Sequence, residues 1–139
     1  MLQPVVIDGI RTPIGKLNGA MKDIQPEEIA AFLLQKICER SHLDIRLLDA
    51  VILGQAKQSS DQPNIARLAA LMTKFPLEVQ AYTVHRQCGS GMQAVQNAAQ
   101  EIMCGYADFV LAGGIESMSN AQYYLREARR GYAVGNGIL

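Results

Sequence analysis

Short runs of apolar, often β-branched residues alternate along this chain with longer segments of helical periodicity. Four such runs predict strands, at residues 5–7, 51–54, 81–84 and 109–112. The three intervening segments predict helices that begin at Pro26, Pro63 and Gly89. Strands that alternate with helices favour a layered α/β domain, with a mixed, mostly parallel sheet covered by helices.

Apolar residues recur at helical spacing within the predicted helices, and this pattern predicts their buried faces. In the first helix the predicted buried residues are Ile29, Phe32, Leu33 and Ile37. In the third helix they are Met92, Val95, Ala99, Ile102 and Met103. The runs at 51–54 and 109–112 are continuously apolar, which is typical of strands that are buried on both faces.

The balance of charges excludes several classes of partner. The chain has 13 Lys and Arg residues against 13 Asp and Glu residues, so we expect neither a nucleic acid nor an anionic membrane as partner. It begins without the features of a signal peptide, and no apolar run approaches the about 20 residues of a membrane helix. Three scattered cysteines and no Cys-x-x-Cys predict no disulfide framework and no metal site. We therefore expect a cytoplasmic protein.

Cys88 lies in a polar, glycine-rich segment between a predicted strand and a predicted helix. A cysteine at a helix start faces unpaired N–H groups and the positive end of the helix dipole, and both stabilise a thiolate. Gly89 and Gly91 leave room for a substrate and for N–H groups to approach an oxyanion. These features fit a nucleophile, but they equally fit a small core cysteine followed by a tight turn.

Five short stretches occur in a fixed order, at residues 11–16, 64–67, 88–91, 112–120 and 130–132. They spell Arg-Thr-Pro-Ile-Gly-Lys, Asn-Ile-Ala-Arg, Cys-Gly-Ser-Gly, Ala-Gly-Gly-Ile-Glu-Ser-Met-Ser-Asn and Arg-Gly-Tyr. In order and interval they resemble the thiolase family, the acyl-CoA C-acetyltransferases. The resemblance extends over essentially the whole chain, and it favours Cys88 as the nucleophile.

The resemblance implies covalent acyl transfer. The cysteine that matches Cys88 attacks an acyl-CoA and holds the acyl group as a thioester. A second acyl-CoA then condenses with it, or coenzyme A cleaves the thioester in the reverse direction. The implied partner is an acyl-CoA, which is the substrate, and no further cofactor is needed. The resemblance also implies a homo-oligomer, an amino-terminal α/β domain at residues 1–118, and the truncated start of a loop domain at residues 119–139.

Several family motifs are absent from this chain. The family's activating Gly-His-Pro, its Cys-x-Gly-Gly-Gly and its Asn-Glu-Ala-Phe do not occur. We therefore expect a parent enzyme of the acetyl-CoA C-acetyltransferase or 3-ketoacyl-CoA thiolase type, and an isolated 139-residue chain that is inactive. The alternatives are an inactive scaffold or interaction fragment of the same superfamily, and a ketoacyl synthase. The Cys-Gly-Ser-Gly turn disfavours the ketoacyl synthase.

Two polar residues beside the cysteine motif have alternative interpretations. His85 stands where the family usually has asparagine, and it is either a substitute base or a structural polar residue. The structural interpretation is favoured because a base role requires a suitable geometry first. Glu116 follows a predicted buried strand, so we expect it to be buried and hydrogen-bonded in a structural role.

The remaining candidates predict packing or surface roles. Cys38 and Cys104 lie on predicted helices and are interpreted as small packing residues. Three arginines near the end of the chain offer possible contacts to coenzyme A phosphates, but a solvated or subunit-facing loop is favoured. These arginines are Arg126, Arg129 and Arg130.

Overall fold

Helices and parallel strands alternate in the computed structural model, which describes residues 2–125 and residue 131. The elements are α1 (Pro26–Ser41), β1 (Ala50–Gly54), α2 (Ile65–Leu71), β2 (Gln80–Val84), α3 (Ser90–Cys104) and β3 (Val110–Gly114). Two short 3₁₀ helices span Ile45–Leu47 and Met118–Asn120. The layered α/β fold predicted from the sequence is confirmed.

The sheet has the order β2-β1-β3, and both pairings are parallel. Gly54, the last residue of β1, lies opposite Val84 in β2 and Gly114 in β3. All five residues of β1 are buried, which confirms the prediction of a strand buried on both faces. Because the strands are parallel, their carboxyl ends form one edge of the sheet.

Two separate hydrophobic clusters cover the two faces of β1. On one face, Val51 and Leu53 belong to a cluster that includes Leu34 of α1 and Ile65 of α2. On the other face, Ile52 packs with alanines of α3. Successive strand residues point to opposite faces of a sheet, so β1 contributes buried side chains to both clusters.

Local signals in the sequence define the ends of the helices. Pro26 occupies the first turn of α1, and the Gln25 N–H donates to the Glu28 carboxylate at 2.8 Å. At the end of α3, Gly105 adopts a φ of 74°, a left-handed conformation that glycine accepts without strain. No helix in the described part of the chain is long and apolar enough to cross a membrane.

The strand predicted at residues 5–7 is not formed. This segment has no regular secondary structure, and its Val-Val-Ile side chains are 70% to 85% exposed. A β-strand is stabilised by hydrogen bonds to a neighbouring strand, and within residues 2–125 this run pairs with none. The segment is instead held to α1 by Arg40, whose guanidinium donates to the Asp8 carboxylate and, at 2.7 Å, to the Gly9 carbonyl.

The buried faces predicted for α1 and α3 are confirmed only in part, since Ile29 of α1 is buried as predicted but two other large residues are exposed. Phe32 of α1 is 56% exposed and Met92 of α3 is 66% exposed. Met92 faces away from the sheet, since α3 is buried through Ser90, Ala94 and Ala98. A helix that approaches a sheet closely must present small side chains to it, and the sequence period alone does not distinguish that face from its bulky apolar neighbour.

The last strand is also less buried than predicted. It spans Val110–Gly114 rather than 109–112, its side chains are half-buried, and Ala112 is exposed. The reason is topological, because β3 has a neighbouring strand on only one side within the described residues.

Candidate active site

Cys88 lies on the turn that connects β2 to α3. Gln87 adopts a φ of 49°, in the left-handed region that non-glycine residues rarely occupy. The Gly89 N–H donates to the Arg86 carbonyl at 3.0 Å, and the Ser90 N–H donates to the Gln87 carbonyl at 3.1 Å. These bonds close a tight turn around Cys88, one residue before the Gly89 cap of α3.

The Cys88 side chain is exposed. The interpretation of Cys88 as a small core residue is therefore wrong. Cysteine is among the residues most often buried, so an exposed cysteine at the start of a central helix is unusual for a structural role.

Two glycines allow this turn to pack closely against the carboxyl ends of the strands. A Cβ atom at Gly54 would lie 2.2 Å from the carbonyl carbon of Ser90, and one at Gly114 would lie 3.1 Å from Cα of Gly91. The start of α3 thus contacts the ends of β1 and β3 through backbone atoms. The sequence predicted Gly91 as space for a substrate, and the structure shows that it also packs against the sheet.

The first turn of α3 carries N–H groups suited to bind a negative charge. The main-chain ladder of α3 begins where the Gln93 N–H donates to the Gly89 carbonyl at 2.9 Å. The N–H groups of Gly91 and Met92 precede this ladder, and such groups have no acceptor within a helix. They lie three and four residues after Cys88, at the positive end of the helix dipole.

His85 connects the ends of β1 and β2. Its Nδ1 lies 3.2 Å from the Gln55 carbonyl oxygen, and the Gln55 N–H donates to the Val84 carbonyl at 3.0 Å. A carbonyl oxygen only accepts, so this contact places the ring hydrogen on Nδ1. Within the described residues, no hydrogen bond joins His85 to Cys88. The contacts support the structural interpretation of His85 over a role as base.

Glu116 holds the loop that follows β1. Its carboxylate accepts from the Ala56 N–H at 2.8 Å and from the Lys57 N–H at 3.1 Å. The predicted hydrogen-bonded, structural role is confirmed. The predicted burial is wrong, because the side chain reaches a surface loop at the edge of the sheet and Glu116 is exposed.

The other two cysteines differ from each other. Cys38 is 4% exposed in the core, as predicted, and burial raises the pKa of its thiol, with a smaller contribution from the Glu39 charge. Cys104 is exposed, so its predicted packing role is wrong. It ends α3 off the buried stripe that runs along the sheet through Ala94 and Ala98.

Sequence reasoning missed one residue of this turn, Ser90. It is 3% exposed, and its hydroxyl bonds to two backbone groups that precede Cys88. Its position as the serine of the Cys-Gly-Ser-Gly motif was the available signal. Arg126, Arg129 and Arg130 lie outside the described residues. Within the described residues, no group of three His, Cys, Asp or Glu side chains is placed to hold a metal ion.

Comparisons with known proteins agree on one family. The family described as "Thiolase, N-terminal domain" matches residues 4–139. The chain is 40% identical over 139 residues to a probable acetyl-CoA acyltransferase of Staphylococcus epidermidis, and covers 35% of that protein. It is 39% identical over 135 residues, 96% of its length, to the 3-oxoadipyl-CoA/3-oxo-5,6-dehydrosuberyl-CoA thiolase of Escherichia coli, and covers 34% of it.

A solved structure shows the same fold. The crystal structure of the Bacillus anthracis acetyl-CoA acetyltransferase matches with a TM-score of 0.87 and 42% sequence identity, over 91% of this chain and 32% of that one. The architecture is thus that of a layered α/β domain with a cysteine turn at the carboxyl edge of its sheet. The chain belongs to the thiolase family and corresponds to its amino-terminal domain. It spans about a third of the length of the curated relatives that it matches.

Proposed function

We propose that this chain supplies the nucleophile of an acyl-CoA C-acyltransferase of the thiolase type. The observation that carries the proposal is the exposed Cys88 on the turn before α3, in a chain that belongs to the thiolase family. The substrates are acyl-CoA thioesters. The overall reaction is either Claisen condensation of two of them or thiolytic cleavage of a 3-ketoacyl-CoA.

The first half-reaction transfers an acyl group to Cys88. The bond from Sγ to the acyl carbon forms while the bond from that carbon to the coenzyme A sulfur breaks. The thiol proton of Cys88 leaves with the coenzyme A thiolate, so charge and atoms balance. Negative charge develops on the acyl oxygen, and the N–H groups at the start of α3 are suited to stabilise it.

The described residues do not provide the base for this step. His85 Nδ1 is engaged with the Gln55 carbonyl, and no hydrogen bond within residues 2–125 reaches the Cys88 thiol. Cys88 is therefore the acyl carrier in this proposal, and the groups that activate its thiol lie outside the described residues. Acyl transfer to Cys88 alone is then expected only from an activated thioester.

A small activated thioester tests the assignment. S-phenyl thioacetate is incubated with the chain, and acetylation at each cysteine is measured by mass mapping. We expect acetylation at Cys88 that hydroxylamine reverses, that coenzyme A removes as acetyl-CoA, and that Cys88→Ala abolishes. Cys104→Ala is the matched control, because it removes the other exposed thiol. Faster acetylation of Cys104, or undiminished labelling in Cys88→Ala, would refute the assignment.

We also propose that the chain self-associates. Several large apolar side chains are exposed, among them Val6 at 85%, Met92 at 66% and Tyr106 at 83%. Exposed apolar residues favour association when they form a common surface, and the zero net charge opposes it little. Light scattering across micromolar concentrations is expected to show dimers or larger species. A monomer at every concentration contradicts this part of the proposal.

A further inference from the structure

Ser90 is buried although its side chain is polar. It lies at the first position of α3 and is 3% exposed. Among the polar residues that the structure describes, Gln55 is buried to the same extent. A buried hydroxyl must be hydrogen-bonded to be tolerated. The Ser90 Oγ satisfies this requirement with two backbone groups, since it accepts from the Arg86 N–H at 2.8 Å and donates to the Gln87 carbonyl at 2.7 Å.

One of these bonds holds the residue before Gln87, and the other holds the carbonyl of Gln87 itself. The main-chain bonds from Gly89 to Arg86 and from Ser90 to Gln87 span the same turn. Four hydrogen bonds therefore join the two residues before Cys88 to the two residues after it. They hold Gln87 at its left-handed φ of 49°, which is unfavourable for a residue with a side chain.

We propose that Ser90 is a positioning residue for Cys88. Its hydroxyl keeps the turn in the strained conformation that presents the Cys88 thiol at the start of α3. This inference rests on the proposed function of Cys88 as the acyl-accepting nucleophile. Ser90 itself contacts backbone groups and acts on the reaction only through the orientation of Cys88.

Removal of the hydroxyl tests the proposal. In Ser90→Ala the Arg86 N–H and the Gln87 carbonyl both lose a partner, and the turn relaxes from its strained conformation. Cys88 then moves away from the N–H groups of the α3 start. We expect alkylation of Cys88 by iodoacetamide at neutral pH to slow about fivefold, a factor that corresponds to roughly one net hydrogen bond. Mass mapping gives the rate at each cysteine separately.

The other cysteines serve as internal controls in the same experiment. Cys104 is exposed at the far end of α3, so its rate is expected to stay within about twofold of that in the unmodified chain. Cys38 is buried in the core and reports unfolding. Ser41→Ala is a matched variant, because the Ser41 hydroxyl donates to the Ile37 carbonyl at 2.8 Å within α1, and its loss is expected to leave Cys88 unaffected.

The proposal is overturned if Cys88 in Ser90→Ala is alkylated within twofold of its rate in the unmodified chain while Cys38 stays protected. A second measurement covers the case in which Ser90→Ala unfolds. In the unmodified chain, the Arg86 amide hydrogen is expected to exchange slowly because the Ser90 Oγ binds it. Exchange at the rate of a free amide overturns the proposal whatever the variant does.

This test is independent of acyl transfer, because iodoacetamide alkylation needs no thioester. Failure of the proposed function would appear as absent acetylation of Cys88 in the unmodified chain. Failure of the positioning role would appear as an unchanged alkylation rate in Ser90→Ala. If both hold, acetylation of Cys88 by S-phenyl thioacetate is expected to slow in Ser90→Ala in parallel with alkylation.

Discussion

Gly54 and Ser90 are in direct backbone contact. A Cβ atom at Gly54 would lie 2.2 Å from the Ser90 carbonyl carbon and 2.3 Å from the Ser90 carbonyl oxygen, distances at which no side chain fits. The contact brings the end of the central strand against the start of the helix that follows Cys88. The position of the candidate nucleophile thus depends on the absence of a side chain at residue 54.

Substitution of Gly54 by alanine is expected to destabilise the fold by about 3 kcal/mol. The added methyl group meets backbone atoms of Ser90 and Gly91, which cannot move aside as a side chain can. Urea unfolding measures the loss of free energy of unfolding. Gly9→Ala is the control, because a Cβ there has no neighbour within 4 Å. A Gly54→Ala variant as stable as Gly9→Ala would contradict the contact.

Iodoacetamide is expected to modify Cys88 first, Cys104 second and Cys38 last. Cys88 and Cys104 are both exposed, so accessibility alone does not separate them. They lie at opposite ends of α3, where the helix dipole favours the negatively charged attacking sulfur at its start and disfavours it at its end. We expect a rate difference of about fivefold. Mass mapping of a time course that finds Cys104 or Cys38 fastest would refute this order.

The stability of the fold is expected to fall at alkaline pH through Cys38. Burial raises the pKa of this thiol above its ordinary value of 9.0, so the native state keeps the proton where the unfolded state loses it. Well below pH 9.0 both states are protonated and Cys38 adds no pH dependence. Above that pH the unfolded state binds fewer protons, so the free energy of unfolding decreases as pH rises.

Urea unfolding of the unmodified chain and of Cys38→Ala between pH 8 and pH 10.5 isolates this effect. As pH increases, the unmodified chain is expected to lose more of its free energy of unfolding than Cys38→Ala does. A difference that stays constant across this range would show that Cys38 titrates alike in the native and unfolded states.

Asn64 is expected to contribute strongly to stability. Its side-chain oxygen accepts from the Arg67 N–H at 3.2 Å and from the Thr83 hydroxyl at 2.9 Å, and its amide donates to the Ala81 carbonyl at 3.0 Å. These bonds cap α2 and join it to β2. Asn64→Ala is expected to cost about 2 kcal/mol in urea unfolding.

Asn64→Asp provides a graded comparison for this prediction. It keeps the acceptor that caps α2 but loses the donor to the Ala81 carbonyl, so a loss of about 1 kcal/mol is expected. Gln100→Ala, at an exposed position of α3, is the control and is expected to change little. Equal stabilities of Asn64→Ala and Gln100→Ala would show that the Asn64 hydrogen bonds between α2 and β2 do not stabilise the fold.

The isolated 139-residue chain is expected to show no thiolysis of acetoacetyl-CoA above the buffer rate. A thiolase cycle needs a nucleophile, a base for the thiol, an oxyanion hole and a second base, and such groups act as a unit. The chain has two histidines, of which His85 is bonded to a backbone carbonyl and His42 caps the end of α1. Turnover that Cys88→Ala abolishes would contradict this expectation, and His85→Asn would then test His85 as the base.

The sequence by itself determined the central elements of the fold. Three local signals are followed by the structure. They are the apolar run at 51–54, Pro26 at the start of α1 and Gly105 at the end of α3. Local signals suffice here because turn and capping conformations depend on a few neighbouring residues. The order of motifs along the chain also predicted the thiolase family, which the match over residues 4–139 confirms.

Only the tertiary structure decided which apolar residues are buried and how the cysteine turn is held. The run at 5–7 has the composition of a strand, but a strand needs a neighbour, and none is present within residues 2–125. Met92 has the period of a core residue, yet Ala94 faces the sheet because α3 approaches it closely. The Ser90 hydroxyl and the Gly54 contact likewise depend on distances between elements, which the order of residues along the chain does not specify.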